Sequence, residues 1–357
     1  MKRFLIGSLV VVAALAVVAY AFRGPLTMRV MEKVVAQRMS ANLLEQLPDG
    51  LHVGLCGAGS PLPDPLRSGP CTAIIAGDRV FLVDAGTGSS RVLGQMQIPH
   101  ANVEAILLTH FHSDHIDGLG EMLLQIWVNG GRTEPTPLIG PTGVEEIAAG
   151  VNAAYAQDHR YRVAHHGEDV VPDSGGGATA IPFPQPAVGE GAVLLDDGGL
   201  RITAFRVDHE PVDPAVGYRF DYRGRSVVVS GDTKQSANLE HFAAGTDLLV
   251  HEALAPQLVA VMTASAEAAH RPRLAKITRD ILSYHTTPVE AAASAQTAGA
   301  RHLLFSHIVP PLPLASMDAL FLEGVSDAYA GPVTLGRDGT FVSLPAGSAE
   351  IVVEERL

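Results

Sequence analysis

Cysteine is nearly missing from this chain: Cys56 and Cys71 are the only two in 357 residues. They permit one disulfide at most. Each lies in or beside an expected early strand, with a turn-rich stretch at 57–69 between them, so a hairpin would bring them together. A disulfide and a pair of buried thiols both stay open. Charge is also sparse, at 18% of residues, and the basic side is the poorer one: 25 Lys and Arg against 38 Asp and Glu, a net charge of −13. Such a chain has no general attraction for polyanions, so a nucleic-acid partner would need a local basic patch. Bound divalent ions would offset some of the negative charge locally. Tryptophan occurs once, at Trp127. What is abundant is apolar residue, 47% of the chain, enough for a sizeable core without staples.

Charge is absent altogether from 4–22, a stretch framed by Lys2 and Arg3 on one side and Arg23 on the other. That is long enough to span a bilayer as a helix and longer than the usual apolar part of a cleaved signal peptide. The basic flank predicts the N-terminus inside and the bulk of the chain outside the cytoplasm. Ala19-Tyr20-Ala21 resembles a cleavage signal, so a periplasmic product released from the membrane is the alternative. The expected organisation is a signal anchor or signal peptide at 1–25, a juxtamembrane helix and turn at 26–50, a catalytic domain at 51–345 and a polar tail at 346–357.

Past residue 50, short apolar runs bounded by turn residues dominate. They predict strands at 51–55, 72–76, 80–83, 105–108, 138–139, 200–207, 217–222, 226–230, 248–250 and 302–305. Helices are expected at 119–128, from 143, and from Pro288 to Ala298. The stretch 158–192, with Gly175-Gly176-Gly177 and several prolines, shows no period and reads as irregular, either a loop covering a site or a mobile segment. His165 and His166 within it read as a surface pair.

Strand ends carry the chemistry. After 105–108 comes Thr109-His110-Phe111-His112-Ser113-Asp114-His115, three imidazoles and a carboxylate within six residues. His110 and His112 alternate, so an extended segment puts them on one face. Such N and O donors suit borderline-soft divalent ions, zinc first. Other strands end at Asp84, His209, Asp232, His251-Glu252 and His307, and His285 precedes a helix. One histidine at a strand end is more often structural than a ligand; repetition at one kind of position is hard to attribute to packing. A weak duplication relates 79–84 to 225–232 and 105–110 to 302–307. It predicts two facing sheets with helices outside, a four-layer αββα sandwich.

The run His-x-His-x-Asp-His followed by Gly-Leu resembles the metallo-β-lactamase superfamily. The order of His209 before Gly217-Tyr218, Ser230-Gly231-Asp232, His251-Glu252-Ala253, His285-Thr286-Thr287 and Ser306-His307 is similar to ribonuclease Z-like proteins. This resemblance implies two zinc ions, with Mn2+ or Fe tolerated by the same donors. His110, His112 and His209 would hold one, and Asp114, His115 and His307 the other. Asp232 would bridge them, with Asp84 and His251 standing behind the ligands. Asp114 would accept a proton, and His285, held by Glu252, would protonate the leaving group. The family's basic tRNA arm is expected between Gly217-Tyr218 and Asp232, where this sequence has only a tight turn. That difference, the acidic charge and the export-like N-terminus favour a small ester as substrate, a phosphodiester or a sulfate as in the arylsulfatase-like relatives, with a nucleic acid unlikely. Ribonuclease Z-type tRNA 3′ processing, a lactonase and a non-catalytic zinc scaffold are the alternatives. A homodimer is left open.

Overall fold

Strands covered on both faces read as nearly unbroken apolar runs, and the strands of this chain fold accordingly. A computed structural model describes residues 20 and 22–357; Met1 and the side chains of 2–19 and 21 lie outside that description. The chain divides into two units, Met1–Leu43 and Leu44–Leu357. The first contains one helix, Lys2–Ser40, which continues through Pro25 and joins the two segments expected at 1–25 and 26–50. The uncharged stretch that suggested a membrane span lies almost wholly outside the described residues. Among those described, no helix is long and apolar enough to cross a membrane. The expected anchor at 4–22 therefore falls outside what the structure describes, and no described helix supports it.

The second unit is built on two sheets. β1 (Gly50–Gly57), β2 (Cys71–Ala76), β3 (Arg79–Val83), β4 (Val103–Leu107), β5 (Thr136–Pro141) and β6 (Ala178–Phe183) form most of the first. β7 (Gly191–Asp197), β8 (Leu200–Arg206), β9 (Val216–Tyr222), β10 (Arg225–Val229), β11 (Leu248–Leu254), β12 (Leu303–Val309) and β13 (Val333–Leu335) form the second. β14 (Thr340–Pro345) and β15 (Val352–Glu355) return to the first sheet, giving the order β15-β14-β1-β2-β3-β4-β5-β6. The second sheet runs β13-β12-β11-β10-β9-β8-β7. β15 lies inside the stretch expected to be a tail and pairs antiparallel with β14.

Alternation along the strands separates the layers. Val227, Val229 and Val250 of the second sheet share one inter-sheet core with Val53, Phe81 and Leu107 of the first. Val228, Leu249 and Phe305 face outward onto Ala291, Ala295 and Leu239 of the covering helices. The helix Pro288–Ala298 illustrates how local sequence sets an element: Thr287 and Glu290 form a reciprocal capping box, Pro288 fills the first turn, and Gly299 ends the helix at φ 64. On the first sheet, the helix Ser89–Gln95 packs on β1, and Leu119–Gly130 and Val144–His166 pack on β5. The last of these occupies part of the segment expected to be irregular, and β6 follows it.

The duplication is real in topology, with one change of partner. β1/β2 and β2/β3 are antiparallel, and β3/β4, β4/β5 and β5/β6 are parallel. β8 to β13 repeat this pattern in the same order. β4 therefore corresponds to β11, which carries His251-Glu252, and not to β12 as the residue pattern suggests. Cys56 and Cys71 form a disulfide, Cα atoms 5.0 Å apart, across the bulge where β1 leaves β2.

The two sheets are tied beside the first histidine. The Val216 N–H donates to the Thr109 carbonyl at 3.0 Å, and the fully buried Tyr218 hydroxyl donates to the Leu108 carbonyl. Removing that hydroxyl leaves a buried carbonyl without its partner. Tyr218→Phe is expected to lower the unfolding free energy by about 1–2 kcal/mol. Urea titration checks this, and an unchanged midpoint would show that the bond ties nothing.

Candidate metal centre

Five strand ends meet where the sheets face each other. β4 runs on through Thr109 to His110 and His112, and the short turn of helix Ser113–Ile116 brings Asp114 and His115 back beside them. β8 delivers His209, β10 delivers Asp232, β11 delivers Glu252 and β12 delivers His307. Close backbone approach makes the turn possible. A Cβ on Gly86 would lie 2.3 Å from the Asp114 carbonyl oxygen, and one on Gly118 would lie 2.2 Å from that of Gly86. Only glycine fits at either place.

His307 reaches the site through an irregularity. Along β12, Glu252 pairs with Ser306 but Ala253 pairs with Ile308, so His307 is an extra residue with φ 46. Phe305 and Ile308, three apart, both face the outer helices. Without the bulge, strict alternation would turn His307 outward with Phe305. Asp84, at the end of β3, also lies in the left-handed region, at φ 61. It is held there by the Thr109 N–H and hydroxyl, both donating at 2.8 Å, and by His115 Nδ1 at 2.8 Å.

The donor atoms cluster in overlapping groups, each with atoms within 4.8 Å of one another: His110, His112, His209 and Asp232; Asp114, His115 and His307; Asp232, His285 and His307. Asp232 is central. Its Oδ2 lies 3.3 Å from His307 Nε2, 3.4 Å from His115 Nε2, 3.8 Å from His110 Nε2 and 3.9 Å from His209 Nε2. Asp114 Oδ2 lies 3.3 Å from His307 Nε2 and 3.6 Å from His115 Nε2.

Hydrogen bonds behind the rings decide which nitrogen faces in. His115 Nδ1 is engaged by Asp84, and His209 Nδ1 by the Tyr284 carbonyl at 2.9 Å. The Nε2 of each is buried and has no hydrogen-bond partner, like Asp232 Oδ1. Buried polar atoms are seldom left so. Inward-facing imidazole lone pairs beside carboxylates are the donor set of a divalent cation, zinc being the usual one. His285 stands at the rim with Nδ1 on Glu252 Oε1 at 2.9 Å. Glu252 Oε1 also accepts from the Thr233 N–H at 3.1 Å and the Thr286 N–H at 3.3 Å.

Electrostatics divides the histidines. Burial pushes His110 well below its ordinary pKa, and His112 and His209 below theirs. Burial also opposes charge on His115 and His307, but the surrounding carboxylates win: His115 is raised well above the usual value by Asp232, Asp84 and Asp114, and His307 to about 9 by Asp232 and Asp114. Against burial, His307 and His115 hold the Asp232 carboxyl well below its usual range.

His251 stands apart. Leu248 and Val250 belong to the inter-sheet core and Leu249 to the helix-covered side, so alternation along β11 carries Glu252 to the site while His251 points to the helix-covered side. Its Nδ1 meets the Glu252 carbonyl at 2.7 Å, and no contact joins it to the cluster. Its expected place behind a ligand is corrected: two adjacent strand residues cannot both face one site. Tyr284 and Thr109 are the residues sequence reasoning missed. Tyr284 acts through a backbone carbonyl, which has no signature in the sequence, while Thr109 was in view as the residue before His110. The cleft beside Asp114, about 760 Å³, is walled by the 60–69 loop and Arg91 and not by the stretch 158–192 expected to shape it.

A family model described as a β-lactamase superfamily domain matches residues 79–308. A ribonuclease Z of Mycobacterium avium (strain 104) is 37% identical over 300 residues, 84% of this chain and 100% of the relative. The chain belongs to the metallo-β-lactamase superfamily, in its ribonuclease Z-like branch. A ribonuclease Z of Mycobacterium marinum is 34% identical over 290 residues, 81% of this chain and 96% of the relative. Among solved structures, the metallo-β-lactamase fold protein YhfI of Bacillus subtilis aligns with a TM-score of 0.58 at 20% identity, covering 83% of this chain and 100% of that one. The short form of human tRNase Z aligns with a TM-score of 0.56 at 21% identity, covering 82% and 99%. Both share the fold.

Membership makes the chain a metal-dependent hydrolase of this superfamily, and the relatives correct the expectations about its substrate. A small ester or aryl sulfate as substrate, and a nucleic acid as an unlikely partner, were inferred from a missing arm and an acidic total charge. The tight turn at Arg223-Gly224 is indeed there, yet the chain aligns with the whole of the M. avium ribonuclease Z. Net charge says little about one face of a protein. The relatives likewise give no support to a membrane-anchored, periplasmic enzyme.

Metal loading is expected to release protons. Below about pH 9, His307 of the metal-free protein carries a proton that a cation must displace. Affinity therefore rises with pH up to that value and falls as pH drops below it. Calorimetry at neutral pH in buffers of different ionisation enthalpy is expected to find net proton release; none would contradict the electrostatics above. Asp84→Asn is expected to weaken metal binding about 10–100-fold by loosening His115, and equal affinity in a competition assay would show that the bond orients nothing.

Proposed function

We propose that this chain is a ribonuclease Z-type endonuclease that hydrolyses the phosphodiester bond at the 3′ end of tRNA precursors. The observation that carries the reading is the match over the whole length of a protein named ribonuclease Z. The geometry supports it through the His285–Glu252 pair, an imidazole at the rim of the metal-type cluster that groups only with Asp232 and His307 and has its Nδ1 held by a carboxylate. In this reading His110, His112 and His209 would hold one zinc ion and Asp114, His115 and His307 another, and Asp232 would contribute to both. The ions would supply an activated water and charge compensation for the phosphoryl group.

The chain's own residues would do the rest. Burial alone would strip the proton from His285, but Glu252 and Asp232 outweigh it and raise its pKa. With Nδ1 on Glu252, its Nε2–H is free to protonate the departing ribose oxygen. Asp114, kept ionised by His115 and His307 against the effect of burial, is placed to accept a proton from the attacking water. Glu252, fixed by two backbone N–H groups, sets the ring plane of His285.

The test is cleavage of a precursor tRNA with a 3′ trailer by metal-analysed protein. The wild type is expected to cut at the 3′ end of the acceptor stem. His285→Ala is expected to slow the chemical step about 10²–10⁴-fold at unchanged metal content. Asp232→Ala is expected to lose both metals together. A wild-type protein with two bound ions that leaves the precursor intact would overturn the reading, and two ions retained in Asp232→Ala would refute the sharing.

A further inference from the structure

Between Glu252 and Tyr284 the chain leaves the sheets as two helices, Pro256–Ala268 and Pro272–Asp280, turning at His270 with φ 53. At the root, Val259 packs with Leu254 and Val309, and the Gln257 amide donates to the Leu320 carbonyl at 2.8 Å. Beyond the root the helices pack on each other. The Thr263 hydroxyl donates to that of Thr278 at 2.8 Å, and Ala266, Ala275 and Thr278 are the buried positions. The first helix alone is about 20 Å long, so the hairpin is an arm standing off the body.

Its surface runs against the charge of the protein. Arg271, Arg273, Lys276 and Arg279 follow one another along the turn and second helix, and all four are exposed. Lys276 is paired with Asp280 at 2.5 Å and Arg279 with Glu267. Among the described residues, neither Arg271 nor Arg273 has an ion-pair partner. In a chain of net charge −13 this is a local cationic face. Both feet of the arm stand in the site. Glu252 before it holds His285, Tyr284 after it fixes His209, and the Leu254 N–H donates to the Thr286 carbonyl at 2.8 Å.

We propose that this helical hairpin is an RNA-docking arm, gripping the phosphate backbone of the substrate through Arg271 and Arg273 and holding it across the cluster at its feet. The inference rests on the ribonuclease reading for the identity of the polyanion. Unpaired guanidinium groups on a protruding element of an otherwise acidic protein match phosphate, and phosphate contacts position a nucleic acid without reading its sequence.

Binding of fluorescein-labelled mature tRNA to the full, metal-loaded chain tests it by anisotropy across a salt series. R271A/R273A is expected to weaken binding about tenfold at about 0.1 M salt and to lower the slope of log Kd against log salt by about 2. The control R160A/R201A removes the same charge from exposed positions elsewhere and is expected to change neither. Absence of tRNA binding by the wild type, equal effects in both pairs, or no effect in either would overturn the arm. So would altered sedimentation of R271A/R273A with tRNA affinity intact, which would make the face a contact between two copies. Arm-dependent tRNA binding without precursor cleavage would uphold the arm and defeat the ribonuclease reading. Cleavage by wild type and R271A/R273A with equal kcat/KM and equal tRNA affinity would do the reverse.

Discussion

Asp232 lies 3% exposed at the seam of the two sheets, with one oxygen 3.3–3.9 Å from four imidazoles and the other without a hydrogen-bond partner. Burying a carboxylate is costly unless opposite charge and hydrogen bonds compensate it. Here the chain surrounds it with histidines, two of which have their outer nitrogens tied to Asp84 and to a backbone carbonyl, so their inner nitrogens cannot turn away. Much else serves that requirement. The left-handed Asp84, the bulge at His307 and the glycine contacts at Gly86 and Gly118 are local departures from regular structure, each about 1–2 kcal/mol against the fold where an L-residue takes the left-handed form. Each places one donor or its support.

The same centre explains why the halves must pack as they do. His110 and its neighbours come from β4, while His209, Asp232 and His307 come from the second sheet. The bonds from Val216 and Tyr218 to Thr109 and Leu108 fix the relative position of the two sets within one or two residues of His110. A shift between the sheets would move donors apart, so packing of the inter-sheet core and geometry of the centre are one property.

Much of this was legible in the sequence, for physical reasons that differ by residue. His110, His112, Asp114 and His115 stand out because four donors fall in six positions. Asp84 and Asp232 stand out because an acid ending an apolar strand usually faces a cavity, a helix N-cap being its common other use. The start of the helix Val144–His166 was expected, but its reach past 158 was hidden because only Val144 and Ala148 of it are buried, which leaves no apolar stripe to give a period. His251 misled because a strand end offers two adjacent donors and only the sheet side tells them apart; the same alternation, broken by an unforeseeable bulge, is what lets His307 in. The pairing of β4 with β12 in the duplication failed for a related cause: residue patterns at strand ends resemble each other more than the strand order does. The total charge says little about any one face, since it averages away the cationic turn at 271–279.

Tying donors from both halves into one centre has a consequence for how the molecule comes into being. Asp114 and His307 meet across 193 residues of chain, a separation at the costly end of loop closure. During synthesis the first four donors are made long before the last. An incomplete chain therefore exposes an open, low-affinity fragment of the site. The hydrolytic centre exists only after the final parallel strands have joined the second sheet, so the topology itself delays reactivity until folding is done.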